Sequence, residues 1–249
     1  MDFINIVIIA IIEFLVAIFS SVAQGGGNYI ILPLMLSVGV TPVAASAALT
    51  VSNLGFSSGN ILGLKGVQVK DKQTLVVLMV LGSLTGLGVP FILAHMSSYL
   101  YSLIIGIFII LITPIMHFKP FGIESTETTN KQKIKGYMLL ALIFVVARFT
   151  LGVGALFTYV LSRYCGHSVI EANLTRKVAG LVGSSVTAVG VIVAGFVNWP
   201  MTISLTVSSI LGGYIGARIV VKKGNAWTAK VLSITMLASG VILIITSLK

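Results

Sequence analysis

Between Glu13 and Lys65 the chain runs 51 residues without a charge, and a second charge-free run extends from Lys72 to Lys119. As straight helix the first gap would extend about 75 Å, against a hydrocarbon core of about 30 Å, so it crosses a bilayer more than once. Glycine, proline and small polar residues divide the apolar pattern into segments at 3–23, 27–38, 42–64, 74–94, 99–117, 137–150, 154–165, 169–195, 200–221 and 230–248. The alternation of a membrane barrel is absent. The pattern predicts an all-α membrane protein. Two segments, 27–38 and 154–165, are too short to span easily, and each follows a glycine cluster, "GGG" and "GVG". In "QGGGNYIILP", residues 24–33, consecutive glycines weaken the helix directly, and Pro33 follows in the same short segment.

The two clusters are related. An offset of 127 positions lays Gly25 on Gly152, Gly27 on Gly154, Leu34 on Leu161, Gly39 on Gly166, Ala45 on Ala172 and Val51 on Val178. Leu54, Ser57 and Ser58 fall on Leu181, Ser184 and Ser185, making nine identities in the 36 positions from Gly25 to Asn60. After a few inserted residues "GSLTG" (82–86) matches "GGYIG" (212–216). These two glycine pairs read as small-xxx-small helix packing. The expected organisation is a first repeat at 1–118, a cytoplasmic linker at 119–135 and a second repeat at 136–249.

Charge changes this picture from a repeat to an inverted one. The loop "KGVQVKDK" (65–72) is basic and its counterpart "GFVNWP" (195–200) is uncharged; "AHMSS" (94–98) carries no formal charge and its counterpart "KKGNAWTAK" (222–230) is strongly basic. Under the positive-inside rule the halves lie upside down relative to each other. With five segments per half and the linker inside, both termini are external; if the short segments are returning half-crossings, the termini move to the other side.

Composition agrees: 57% of residues are hydrophobic, 9% are charged, and the mean hydropathy is +1.09. The net charge of +10 sits mostly in short loops, as expected of cytoplasmic loops facing anionic lipid rather than of a nucleic-acid binder. Cys165 is the only cysteine, so no internal disulfide forms. "MDFINIVIIA" lacks a basic n-region and reads as the first membrane helix, not a cleaved signal.

Inverted repeats with discontinuous helices are a transporter signature. A helix broken at the midplane frees amide N–H groups, tolerable in a membrane only where the break lines a cavity or is buried in protein. Those groups carry the positive end of the helix dipole and suit an anion. The architecture expected is an inverted-repeat transporter of two five-segment halves.

"QGGGNYIILPLMLSVGVTPVAASAAL" resembles the signature of the sulfite exporter TauE/SafE-like family of integral membrane proteins. "LGVGALFTYVLSRYCGHSVIEAN" is similar to that family's degenerate second copy, and "AGFVNW" followed by "SSILGGYIGARIVVKK" to its closing region. Asn198 stands where the family commonly has an acid, and Val153 replaces a glycine of the second cluster. The resemblance implies a multi-pass protein of the cell membrane that transports sulfur-containing anions such as sulfite, sulfonates or sulfoacetate.

Candidate site residues follow from that chemistry. Gln24, Gly25, Gly26, Gly27 and Asn28 form the first break, and Gly152 and Gly154 the second. Arg148, four residues before Gly152 in an apolar run, is the first candidate to neutralise an anion, and Arg176 the second; a guanidinium fork suits an oxyanion. Asn53 and Asn173 are polar groups within membrane segments. Glu13, the sole acid deep in the first helix, is a candidate to carry a coupling proton or to pair with a base such as Arg148. Lys177 beside Arg176 reads either as part of the site or as an interfacial basic pair. No catalytic constellation, metal set, cofactor motif or nucleotide loop is present in the pattern. The expected partners are a small anionic substrate and the lipid bilayer, with no nucleic acid; a homo-oligomer is left open. The function expected is secondary transport by alternating access, the alternatives being a channel-like anion pore or a non-transporting membrane scaffold.

Overall fold

The computed structural model describes residues 3–24, 28–69, 71–95, 128–147 and 154–247. Its regular structure is helical: α1 (Phe3–Val22), α2 (Asn28–Ser37), α3 (Pro42–Gly63), α4 (Lys72–His95), α5 (Asn130–Ala147), α6 (Gly154–Tyr164), α7 (Val169–Val193) and α8 (Trp199–Ser247). Among the described residues, three stretches are long and apolar enough to cross a membrane, Ile4–Val22, Val169–Val193 and Trp199–Leu232. The segment expected at 99–117 lies outside the described residues.

Local chemistry sets the helix starts. Thr41 caps α3 by accepting from the Ala44 amide, with Pro42 at the first helical position, where its missing N–H costs nothing. Ser168 caps α7 by accepting from the Glu171 amide. The α5 helix begins at Asn130, inside the stretch expected as linker. The cause is a reciprocal cap: the Thr129 amide donates to Gln132 Oε1 at 3.0 Å, and the Gln132 amide to Thr129 Oγ1 at 3.4 Å. The basic stretch 222–230, expected as a loop, is helix on both sides of Gly224, which alone leaves helical geometry at φ 81°. Gly224 breaks the helix there, so two helical stretches meet at a kink inside the expected loop.

The first helix is inverted relative to a soluble one. Ile4, Ile8, Ile11, Leu15 and Phe19 face outward, while Glu13, Ser20 and Ser21 are buried. An apolar face left outside and a polar face packed inside suit lipid, not water.

Among the described residues three cores form: in one, Leu64 packs with Ile170 and Leu174 of α7 and Ala217 and Val220 of α8, and each of the other two borrows a helix from the other half of the chain. Ile9 and Val16 of α1, Ile31 and Met35 of α2 and Ala45 and Leu49 of α3 pack with Met201 and Leu205 of α8. Leu140 and Phe144 of α5, Phe157 and Leu161 of α6 and Val169 and Ala172 of α7 pack with Leu78 of α4. Beyond Gly224, Ala229 and Leu232 of α8 join this second core. Small residues bring the borrowed helices close. A Cβ on Gly55 would sit 2.7 Å from the Thr206 carbonyl oxygen, and one on Gly183 would sit 2.9 Å from the Gly82 backbone. Ser21 donates to Asn60 Oδ1 at 2.6 Å, and Asn60 Nδ2 to the Phe56 carbonyl at 2.8 Å, so Asn60 ties α1 to α3.

Positions 127 apart adopt the same geometry. Gly39 and Gly166 both take positive φ, 85° and 75°, and each is followed two residues later by a helix cap, Thr41 or Ser168.

Candidate functional site

The α1 helix ends in a turn at Ala23 and Gln24. Gln24 has φ 55°, a left-handed conformation unusual for a residue with a side chain, and it is fully buried. That backbone aims its side chain and carbonyl at the start of α6. Thr158, one turn into α6, donates its hydroxyl to Gln24 Oε1 and also approaches the Gly154 carbonyl at 3.2 Å. The Gln24 carbonyl lies directly against Gly154. A Cβ on Gly154 would collide with it and would stand 2.7 Å from Arg176 Nη1. Glycine opens α6 because three elements converge on that point.

Arg176 reaches this point from the third turn of α7. Its Nη2 donates to Asn173 Oδ1 at 3.3 Å, one turn back on the same helix. Asn173 is fully buried. Gln24, Thr158, Gly154, Arg176 and Asn173 therefore form one connected polar cluster between the end of α1 and the α6–α7 pair.

Three atoms of this cluster are enclosed and have no partner among the described residues: Gln24 Nε2, Asn173 Nδ2 and Arg176 Nε. All three are N–H donors. A buried unsatisfied donor costs about 1–3 kcal/mol, more when charged, so the cluster is incomplete without an acceptor. One cation, two carboxamides and the start of a helix select an anion with several oxygens.

Gln24, Gly154, Asn173 and Arg176 are thus brought together. Gly25, Gly26, Gly27, Arg148 and Gly152 lie outside the described residues. Asn28 opens α2, and its side chain also lies outside them. Asn53 stands on the exposed side of α3, apart from the cluster. Glu13 lies about 16 Å back along α1 from Gln24, counting 1.5 Å per residue, and accepts from the Ser209 hydroxyl of α8; its expected pairing with Arg148 lies outside the described residues. Lys177 points to the other side of α7, with Nζ 3.6 Å from the Phe56 ring centroid, a cation–π contact with α3. Arg163, Arg218, Lys222 and Lys223 are exposed. Thr158 went unread in the sequence; its signal is the spacing of one helical turn from Gly154.

On the linker side, Lys133 Nζ donates to Asp71 Oδ2 at 2.6 Å. Asp71 also accepts from the Thr74 amide at 3.0 Å and the Thr74 hydroxyl at 2.9 Å. Partial burial pushes the Asp71 carboxyl up, but the bonds from Lys133 and Thr74 outweigh it and hold the carboxyl below its ordinary value. The bond to Asp71 raises the Lys133 ammonium above its ordinary value.

A family model described as sulfite exporter TauE/SafE matches residues 9–243. No curated protein and no solved structure matches the chain.

Proposed function

The chain belongs to the sulfite exporter TauE/SafE family, and from that premise we propose that it is a secondary carrier of small sulfur-containing oxyanions, such as sulfite, sulfonates or sulfoacetate, working by alternating access. Membership makes it a multi-pass membrane transporter and not an enzyme. The observation that carries the finer reading is the set of three buried, unpartnered donors on Gln24, Asn173 and Arg176. An oxyanion supplies the acceptors they lack. Arg176 provides the charge, and the two carboxamides provide direction.

The inverted repeat is part of the same proposal. It is supported by the matched turns at Gly39 and Gly166, the matched caps at Thr41 and Ser168, and the exchange of α8 and α4 between two of the cores. Gln24 comes from the first half of the chain and Arg176 from the second, so an anion between them is held by groups that separate when the halves rock.

Counterflow of radiolabelled sulfoacetate in proteoliposomes tests the reading. A carrier shows uptake accelerated by unlabelled sulfoacetate on the trans side. Uptake without trans acceleration means a pore, and no uptake at all means that the proposed transport is wrong.

A further inference from the structure

Glu13 is unused by the anion site, yet its setting is unusual. It lies at the midpoint of the span Ile4–Val22, nine residues from each end. It is 7% exposed, and its partner is the Ser209 hydroxyl. It is also the only charged residue in α1, α2 and α3. On α8, which packs against it, Arg218, Lys222 and Lys223 are exposed and lie at least nine residues beyond Ser209. On α7, Lys177 reaches α3 at Phe56, and Arg176 serves the anion site. The fold does not demand an acid here: the 127-residue offset puts Leu140, a core residue of α5, at the equivalent position.

The face of α1 that carries Glu13 continues to the anion site. Positions 13, 17, 20 and 21 follow helical spacing, Glu13, Ala17, Ser20 and Ser21 are all buried, and the chain then turns into the buried Gln24. Ser20 Oγ, between Glu13 and Gln24 in the chain and nearer to Gln24, is enclosed without a partner among the described residues. A stripe of hydroxyls linking a midspan acid to a ligand site is a layout for moving a proton, since lasting charge at midspan is costly and an acid there exchanges its proton when water gains access.

We propose that Glu13 carries a proton that crosses the membrane together with the anion. The inference rests on the anion-site reading above. Its carboxylate binds one proton from water on one side, and the O–H bond breaks to release that proton to water on the other. One proton and one anion move in the same direction in each cycle. The Ser20–Ser21–Gln24 face couples the two sites.

The test uses proteoliposomes, radiolabelled sulfoacetate, an internal pH dye and a membrane potential clamped with potassium and valinomycin. Wild-type protein accumulates sulfoacetate several-fold when the side of addition is made one pH unit more acidic, and the interior acidifies as the anion enters. Glu13→Gln loses the gradient-driven accumulation while counterflow at equal pH persists. Glu13→Asp, which restores a carboxyl, restores accumulation. Wild-type counterflow with no response to the pH gradient overturns the inference and leaves the anion site standing; no wild-type counterflow overturns the anion-site reading itself. Accumulation by Glu13→Gln equal to wild type overturns the inference, as does loss of counterflow in a well-folded Glu13→Gln. Should Glu13→Gln fail to fold, the wild-type dye signal decides: anion entry without acidification overturns the inference.

Discussion

Thr158 donates its hydroxyl to the carboxamide oxygen of Gln24, 134 residues earlier in the chain. The bond joins the end of α1 to the first turn of α6. It also fixes the orientation of the Gln24 carboxamide, whose Nε2 is enclosed. Thr158→Val keeps the shape and removes the donor. Leaving the buried oxygen unsatisfied costs about 1–3 kcal/mol. Thermal unfolding in detergent should show a lower Tm, and sulfoacetate binding should weaken, because the carboxamide loses its fixed direction.

Gly154→Ala places a Cβ against the Gln24 carbonyl and 2.7 Å from Arg176 Nη1. Overpacking of this kind costs about 1–3 kcal/mol, which at the site corresponds to roughly tenfold slower exchange. Counterflow rates normalised to folded protein check it; wild-type rates would show that the approach of Gln24 and Arg176 to α6 is unimportant.

Arg176→Lys keeps a positive charge and loses the planar fork. Sulfoacetate affinity should fall about tenfold or more, since hydrogen bonds to charged groups contribute about 1.5–3 kcal/mol. Equal affinities for the arginine and lysine proteins would mean that charge alone matters there.

The Asp71–Lys133 pair gives a pH prediction with a definite sign. The folded Asp71 carboxyl sits below its unfolded value, so its contribution is present above the ordinary carboxylate range and is lost as pH falls through the lower folded value. Lys133 sits above its unfolded value, so its contribution is present at neutral pH and is lost as pH rises through the raised folded value. Both side chains are partly exposed, and the pair contributes at most about 1 kcal/mol. Wild type should unfold at a higher temperature than Lys133→Met at neutral pH, and the gap should close in acid. A gap that persists at pH 2 would refute this account of the pair.

Much of the scaffold was legible in the sequence, for local reasons. The starts of α2 and α6 fall at the ends of the glycine clusters, and the α3 and α7 starts follow from Thr41 with Pro42 and from Ser168. The glycines of "GSLTG" and "GGYIG" read as packing residues, and Gly82, Gly212 and Gly216 do sit against neighbouring helices. What was not legible depends on long-range contacts. Asn53 looked like a polar residue seeking a site, but Gly55, Gly59 and Gly63 turn their face of α3 onto α8, which leaves Asn53 outside. Thr158 looked like an ordinary helix residue until Gln24 arrived from the other half. The exchange of α4 and α8 between cores leaves no periodic signal in either helix.

The central claim is that the buried donors on Gln24, Asn173 and Arg176 hold an oxyanion. Asn173→Leu tests it most directly, because Asn173 carries one of the unpartnered donors and sits on a well-packed helix. The substitution removes that donor together with the oxygen that accepts from Arg176 Nη2, which costs the empty protein about 1–3 kcal/mol. Titration calorimetry with sulfoacetate on purified, folded protein should show affinity at least tenfold below wild type, with a lower ligand-free Tm. Sulfoacetate binding as tight as wild type would contradict the account.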